Sequence, residues 1–268
     1  SFYIRFKKIR KKVKNYIRSV SSFLSLPTTL HDRKIHISLV VSVVLTIFST
    51  NFVFSQLSSG TFEDMKLDFF AATENPTKAF EIATSYLAKA KEANDVGQIV
   101  TGYGLLVSHH SHTKKAILYT DSIILLTKNT KLEHYPAEGY LLKGIQLYYN
   151  SRYSDALTNF ATANDIALTN KNLKQQISIK HYIGLLKNVS EEREEALNIF
   201  QENIEFIHKN NFEEKDPEQY LKSLFALADS YNKNRVLDSA EVVHQRGIKA
   251  SLQHPNKYLY PWFLTSYG

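Results

Sequence analysis

Small side chains recur along this chain at a fixed interval, and that interval limits the fold more than any other feature. Gly104, Gly144 and Gly184 stand 40 residues apart, Ala228 lies 44 further on, and each is followed 12 residues later by an alanine: Ala116, Ala156, Ala196 and Ala240. A small residue on one helix and another on the next let two backbones approach while larger residues interlock around them. The pattern predicts stacked helical hairpins. The scarcity of breakers agrees: nine Gly and six Pro in 268 residues, against roughly 12% in an ordinary chain, suit long helices better than a turn-rich sandwich or barrel.

Within the units the spacing is helical. Ala156, Phe160, Ala163 and Ala167 draw one buried stripe after Tyr153, as an amphipathic second helix requires. Ala196, Phe200, Ile204 and Ile207 repeat it. Ser190 is the expected N-cap of that helix, with Glu191 and Glu192 in a first turn where the helix dipole favours acids. With Glu194 and Glu195 they read as a solvated helix start, not a metal site. Upstream, Ala79, Ala83, Tyr86, Leu87 and Ala90 read as a second helix whose degenerate first helix runs from Phe62 to Phe70. Downstream, 40 residues past Ala228 lies Gly268, so residues 254–268 read as an incomplete repeat and the chain as a fragment.

The net charge of +7 belongs to one end. Residues 1–34 hold ten Lys or Arg against a single acid, Asp32, and the remaining 23 basic and 25 acidic residues nearly cancel. A nucleic-acid-binding surface spread over the fold is therefore not expected. Residues 1–20 repeat Phe2, Phe6, Ile9, Val13, Ile17 and Val20 opposite the Lys and Arg face, a basic amphipathic pattern suited to an anionic inner leaflet; the absence of Met at position 1 makes 1–29 a candidate non-native start. Residues 30–55 have the three-part layout of a secretory signal, with an apolar stretch at 35–54 and cleavage after Ser55. At about 20 residues the stretch also reaches the length of an uncleaved signal anchor. Either reading uses 35–54 as the membrane contact and puts the body on the far side of the inner membrane, free or anchored, because the Lys/Arg cluster stays cytoplasmic.

Catalytic signatures are missing. There is no Cys, and no G-x-S-x-G, P-loop, G-x-G-x-x-G or H-E-x-x-H pattern. His109, His110 and His112 are the nearest approach to a metal-ligand cluster, but they fall at a helix break without an acid to complete a set and read as a solvated turn. The sequence implies no metal, no cofactor and no enzyme activity. The Asn188-Val189-Ser190 sequon is short enough to arise by chance.

The residues that carry the period resemble the tetratricopeptide (TPR) family. Its small residue at repeat position 8 matches Gly104, Gly144, Gly184 and Ala228, its Ala at position 20 matches Ala116, Ala156, Ala196 and Ala240, and its aromatic at 24 matches Phe160 and Phe200. Tyr153, Tyr231, Ala163 and Gly247 match further positions. The chain departs from the family in its spacing of 40 to 44, where the standard is 34, and in lacking the closing Pro. Generic or HEAT-like hairpins remain the alternative.

The resemblance implies an all-α, right-handed superhelix of antiparallel hairpins, with a degenerate hairpin at 56–94 and repeats over 95–253. It also implies a groove lined by first helices, where Gln98, Thr101, Ser108, Glu138, Tyr148, His181, Asn188, Lys222, Asp229 and Asn232 would meet a protein or peptide partner; a homodimer is left open. An apolar export segment followed by elongated repeats resembles exported sensor regions of Bacteroidetes-type bacteria. Those precede a membrane helix and an AraC-type or histidine-kinase output domain, which is the alternative to a free-standing interaction module.

Overall fold

The computed structural model describes residues 60–72, 74–254 and 259–267. The extension 1–29, the export segment 30–55 with its apolar stretch 35–54, and parts of 254–268 lie outside the described residues. Among those described, every regular element is a helix. α1 (Phe62–Ala71) and α2 (Pro76–Glu92) form the first hairpin, α3 (Val96–His109) and α4 (Lys114–Thr127) the second, and α5 (Ala137–Tyr149) and α6 (Tyr153–Thr169) the third. α7 (Leu173–Val189) and α8 (Arg193–Lys209) make the fourth; a single turn, α9 (Phe212–Lys215), leads to the fifth, α10 (Pro217–Lys233) with α11 (Leu237–Gln253). α12 (Tyr260–Tyr267) packs on α11 and α10. Each hairpin also packs on the next, so the unit from Gly60 to Gly268 is an all-α solenoid of antiparallel hairpins.

Sharp turns without glycine make this stack. Asn94, Ser151, Lys171, Glu191 and Arg235 each take a left-handed backbone, with φ between 52° and 63°. In each case the following amide reaches back to the carbonyl five residues earlier, as in Arg152 to Leu147 at 2.9 Å and Glu192 to Lys187 at 3.0 Å. That is the Schellman closure, which glycine usually serves. Here seven of the eight described glycines lie within helices, and none of the described glycines has positive φ.

The turn geometry also corrects the expected cap at Ser190. Ser190 closes α7, Glu191 occupies the left-handed position, and α8 starts at Arg193 with no side-chain cap. Lys187 at the end of α7 holds Glu192 at 2.7 Å and Glu195 at 2.9 Å instead. Elsewhere side chains do cap: Asp95 accepts from the Gln98 amide, Asn172 from Gln175 and Asp216 from Gln219 on first helices, and Asn75 and Thr113 cap the second helices α2 and α4.

Tight packing sits near the closed end of the hairpins. Gly144 and Gly184 each lie five residues before the last residue of their helix. A Cβ on Gly144 would come closer than 3.0 Å to the Phe160 ring of α6, and one on Gly184 would stand 2.6 Å from Phe200 of α8. Both rings are fully buried. Phe160 also stacks on Tyr182 of α7 at 5.8 Å, so one ring joins three helices. Ala116, Ala156, Ala196, Ala228 and Ala240 are all buried.

Gly104 differs. A Cβ there meets nothing within 4 Å. The residue 16 positions on, where Phe160 and Phe200 stand in their units, is Thr120, whose hydroxyl turns back to the Ile117 carbonyl at 2.7 Å. Two other glycines make close contacts between hairpins: Gly102 against Leu87 of α2 and Gly139 against Ile124 of α4. Gly247 of α11 receives the Phe263 ring of α12 in the same way.

Candidate functional site

First helices neighbour first helices in this stack, α5 beside α7 and α7 beside α10, which places the ten residues expected to meet a partner along one series of helices. Most are already engaged locally. Gln98 accepts a hydrogen bond from the Tyr86 hydroxyl of α2, and Thr101 donates to the Gly97 carbonyl at 3.0 Å. Lys222 pairs with Glu218 at 2.6 Å, Asp229 with Lys233 at 2.7 Å, and Asn232 meets Nε2 of His244 at 3.2 Å. Glu138 accepts from Gln175 Nε2 at 3.0 Å, a link from α5 to α7. Ser108 is exposed.

His181, Asn188 and Tyr148 behave differently. Asn188 is only 9% exposed, and neither its amide nitrogen nor its oxygen has a hydrogen-bond partner. Buried polar groups almost always have one. His181 lies edge-on to Tyr182 at 5.3 Å, and its Nδ1 is also buried without a partner. Burial, reinforced by the charge of Lys222, lowers its pKa to about 4. Burial pushes the Tyr182 phenol up to about 12, with Tyr149 and Tyr148 adding to the rise and Lys222 opposing it. Tyr148 packs edge-on to Tyr149 at 5.2 Å and near Tyr153 at 5.9 Å.

The centre of the face, from Tyr148 on α5 through His181 and Tyr182 on α7 to Lys222 on α10, is therefore aromatic and mostly uncharged at neutral pH. It offers hydrogen bonds and ring faces, the chemistry of recognition. Sequence reasoning missed two contributors here. Tyr182 shows no sequence signal beyond its own aromaticity. Gln219, whose Oε1 is 3.5 Å from Ser178 Oγ while its Nε2 is buried and unpartnered, sits three residues before Lys222, the first face position of its helix.

The histidine run packs against aromatic rings. His109 and His110 pack on Phe80 of α2 at 5.2 and 5.6 Å, His110 stacks on Tyr119 of α4, and His112 lies 3.8 Å from the Tyr149 ring of α5. The His112 amide donates to Gln146 Oε1 at 2.7 Å. The run lies at a turn with Ser111 and His112 exposed, as expected, and its rings also form an aromatic seam between hairpins; no group of three metal-ligating side chains occurs among the described residues. The four glutamates of 191–195 are exposed, as the sequence implied.

No family model matches the sequence, and no curated protein matches it. Solved structures do. Aspartyl phosphate phosphatase F from Bacillus subtilis is 13% identical with a TM-score of 0.62, over 97% of this chain and 72% of that one. A Rap protein complexed with competence and sporulation factor is 14% identical with a TM-score of 0.53, over 95% and 79%. A Podosopora anserina chain with nearly identical TPR-like repeats is 12% identical with a TM-score of 0.54, over 72% and 93%. At these identities the likeness establishes architecture: the chain is a divergent TPR-like helical repeat protein.

Proposed function

We propose that the repeats are a non-catalytic recognition module that holds a segment of protein or peptide along the first-helix face. The observation that carries this reading is Asn188, a buried amide with both a donor and an acceptor left over, which is the complement of a peptide group. Tyr148 on α5 and His181 and Tyr182 on α7 supply ring surface for side chains. Stacked helical repeats present extended surfaces of this kind, and the Rap neighbour is seen with a factor bound. The export layout of residues 30–55 supports placing the module beyond the inner membrane, as a free-standing or membrane-anchored sensor, with 35–54 as its membrane contact.

A displayed random-peptide library panned on the full chain tests the reading. Enriched peptides should lose about tenfold or more in affinity on Asn188→Ala and Tyr148→Ala, the scale of a lost hydrogen bond or ring contact. Binding should be unchanged on Leu118→Ala, a substitution on the exposed side of α4. Peptides that bind all three variants equally would remove the face from consideration. Delivery is tested separately: residues 1–59 fused to a reporter active only outside the cytoplasm should switch it on.

A further inference from the structure

A cavity of about 360 Å³ opens between the start of α10 and the last turns of α11, and we propose that it binds a free amino acid with an apolar side chain. Its floor is Pro217, Tyr220 and Leu221 of α10 with Ala250 of α11. Tyr220 and Leu221 are 9% and 1% exposed, so the floor is fixed by the core beneath it. A ligand would cover apolar surface without rebuilding the fold.

The walls carry opposite charges. Arg246 and Lys249 stand one turn apart on α11 and line the same cavity, while Glu213 and Glu214 line it from α9. Arg246 is held in place: its Nη1 donates to His208 Nε2 at 3.3 Å, and His208 Nδ1 bonds Glu213 Oε1 at 3.0 Å. Because Arg can only donate, the Nδ1 proton of His208 must face Glu213, and the chain of contacts has one polarity. Burial opposes ionisation of Glu213, but the His208 hydrogen bond and its own backbone amide hold its carboxyl below the ordinary value, with the charge of Arg246 adding. The His208 ring meets Tyr220 edge-on at 5.6 Å, which ties the polar chain to the apolar floor.

A singly charged molecule would satisfy one wall and be repelled by the other. A zwitterion satisfies both, its carboxylate toward Arg246 and Lys249, its ammonium toward Glu214, and its side chain on the Tyr220 floor. The volume falls at the small end of ligand sites, which suits one residue and not a peptide. This site lies off the first-helix face, so its fate is independent of the peptide reading.

Calorimetric titration of the full chain with four probes decides it. L-Phenylalanine should bind, and glycine, which leaves the floor uncovered, should bind at least about tenfold more weakly. N-Acetyl-L-phenylalanine and L-phenylalaninamide, each lacking one charge, should lose roughly ten- to a hundredfold. Arg246→Ala should erase the difference between phenylalanine and its amide, and Glu214→Gln the difference between phenylalanine and its acetyl derivative. Both side chains are at the surface, so thermal melting should be unaltered and a loss of binding cannot be a loss of fold. Absence of phenylalanine binding up to millimolar concentration, blocked derivatives that bind as well as phenylalanine, or variants that keep full discrimination would overturn the proposal.

Discussion

The stretch from Gly104 to Gly144 and the stretch from Gly144 to Gly184 have the same length of 40 residues but are built from different parts. The second is regular: α6, α7 and α8 each have 17 residues, begin at 153, 173 and 193, and are separated by three-residue turns. The first combines a 14-residue α4 with the long connection 128–136 before a 13-residue α5. In the regular stretch each glycine receives a buried phenylalanine; in the irregular one Gly104 faces open space above a threonine that satisfies itself. A fixed interval between small residues therefore marks where hairpins close, while the large ring opposite decides whether the two helices lock. The fifth hairpin lies between these cases. Ala228 and Ala240 are buried there, but His244 stands in the ring's place and bonds Asn232.

Removing a ring should show the difference most strongly. Phe160→Ala or Phe200→Ala should cost about 3–5 kcal/mol of unfolding free energy, whereas Thr120→Ala should cost under about 1.5 kcal/mol because only its local hydrogen bond is lost. Urea titrations of the three variants compare them directly, and equal losses would mean that the second and third hairpins are packed alike.

Acid should weaken the regular region next. His181 is neutral in the folded chain down to about pH 4, while an unfolded histidine takes up a proton near pH 6.5. Its contribution is complete above pH 6.5 and is lost as pH falls toward 4, to the extent of about 3 kcal/mol. A His181→Gln variant should show a shallower fall in stability over that window than the native chain. Parallel pH profiles would contradict the buried, neutral assignment.

The smallest effect concerns the turns. Ser151→Gly and Arg235→Gly should each stabilise by about 0.5–1 kcal/mol, the relief of left-handed strain less the added freedom of the unfolded chain. The same change at Thr158 in the middle of α6 should destabilise by a similar amount. A loss of stability at Ser151 would mean its backbone is not left-handed.

Much of the fold was legible because close approach demands a residue type at a fixed interval, and Gly144, Gly184 and the four alanines declare it. The 44-residue step to Ala228 was legible only as a number; its cause is α9, a four-residue turn of helix inserted before α10. Gly102 and Gly139 escaped notice because they stand 37 residues apart, off the 40-residue period, although each meets a residue 15 positions earlier in the preceding hairpin, Leu87 and Ile124. Ser190 resembled a cap because the sequence does not show that Glu191 turns left-handed ahead of α8. On the candidate face, register assigned positions to helices but not their bonds. Lys222, Asp229 and Asn232 are paired nearby, and Asn188 stands out only once its burial is known. The Arg246 cavity draws on three helices and left no local motif.

The most direct test is a matched pair of substitutions, Gly144→Ala and Gly104→Ala, measured by urea unfolding. In an unobstructed helix the change stabilises by about 0.5–1 kcal/mol. Gly104→Ala should show that gain, while Gly144→Ala, which pushes a methyl group into the buried Phe160 ring, should lose about 1–3 kcal/mol. Changes of the same sign at both positions would contradict the locking of hairpins by a ring on a glycine.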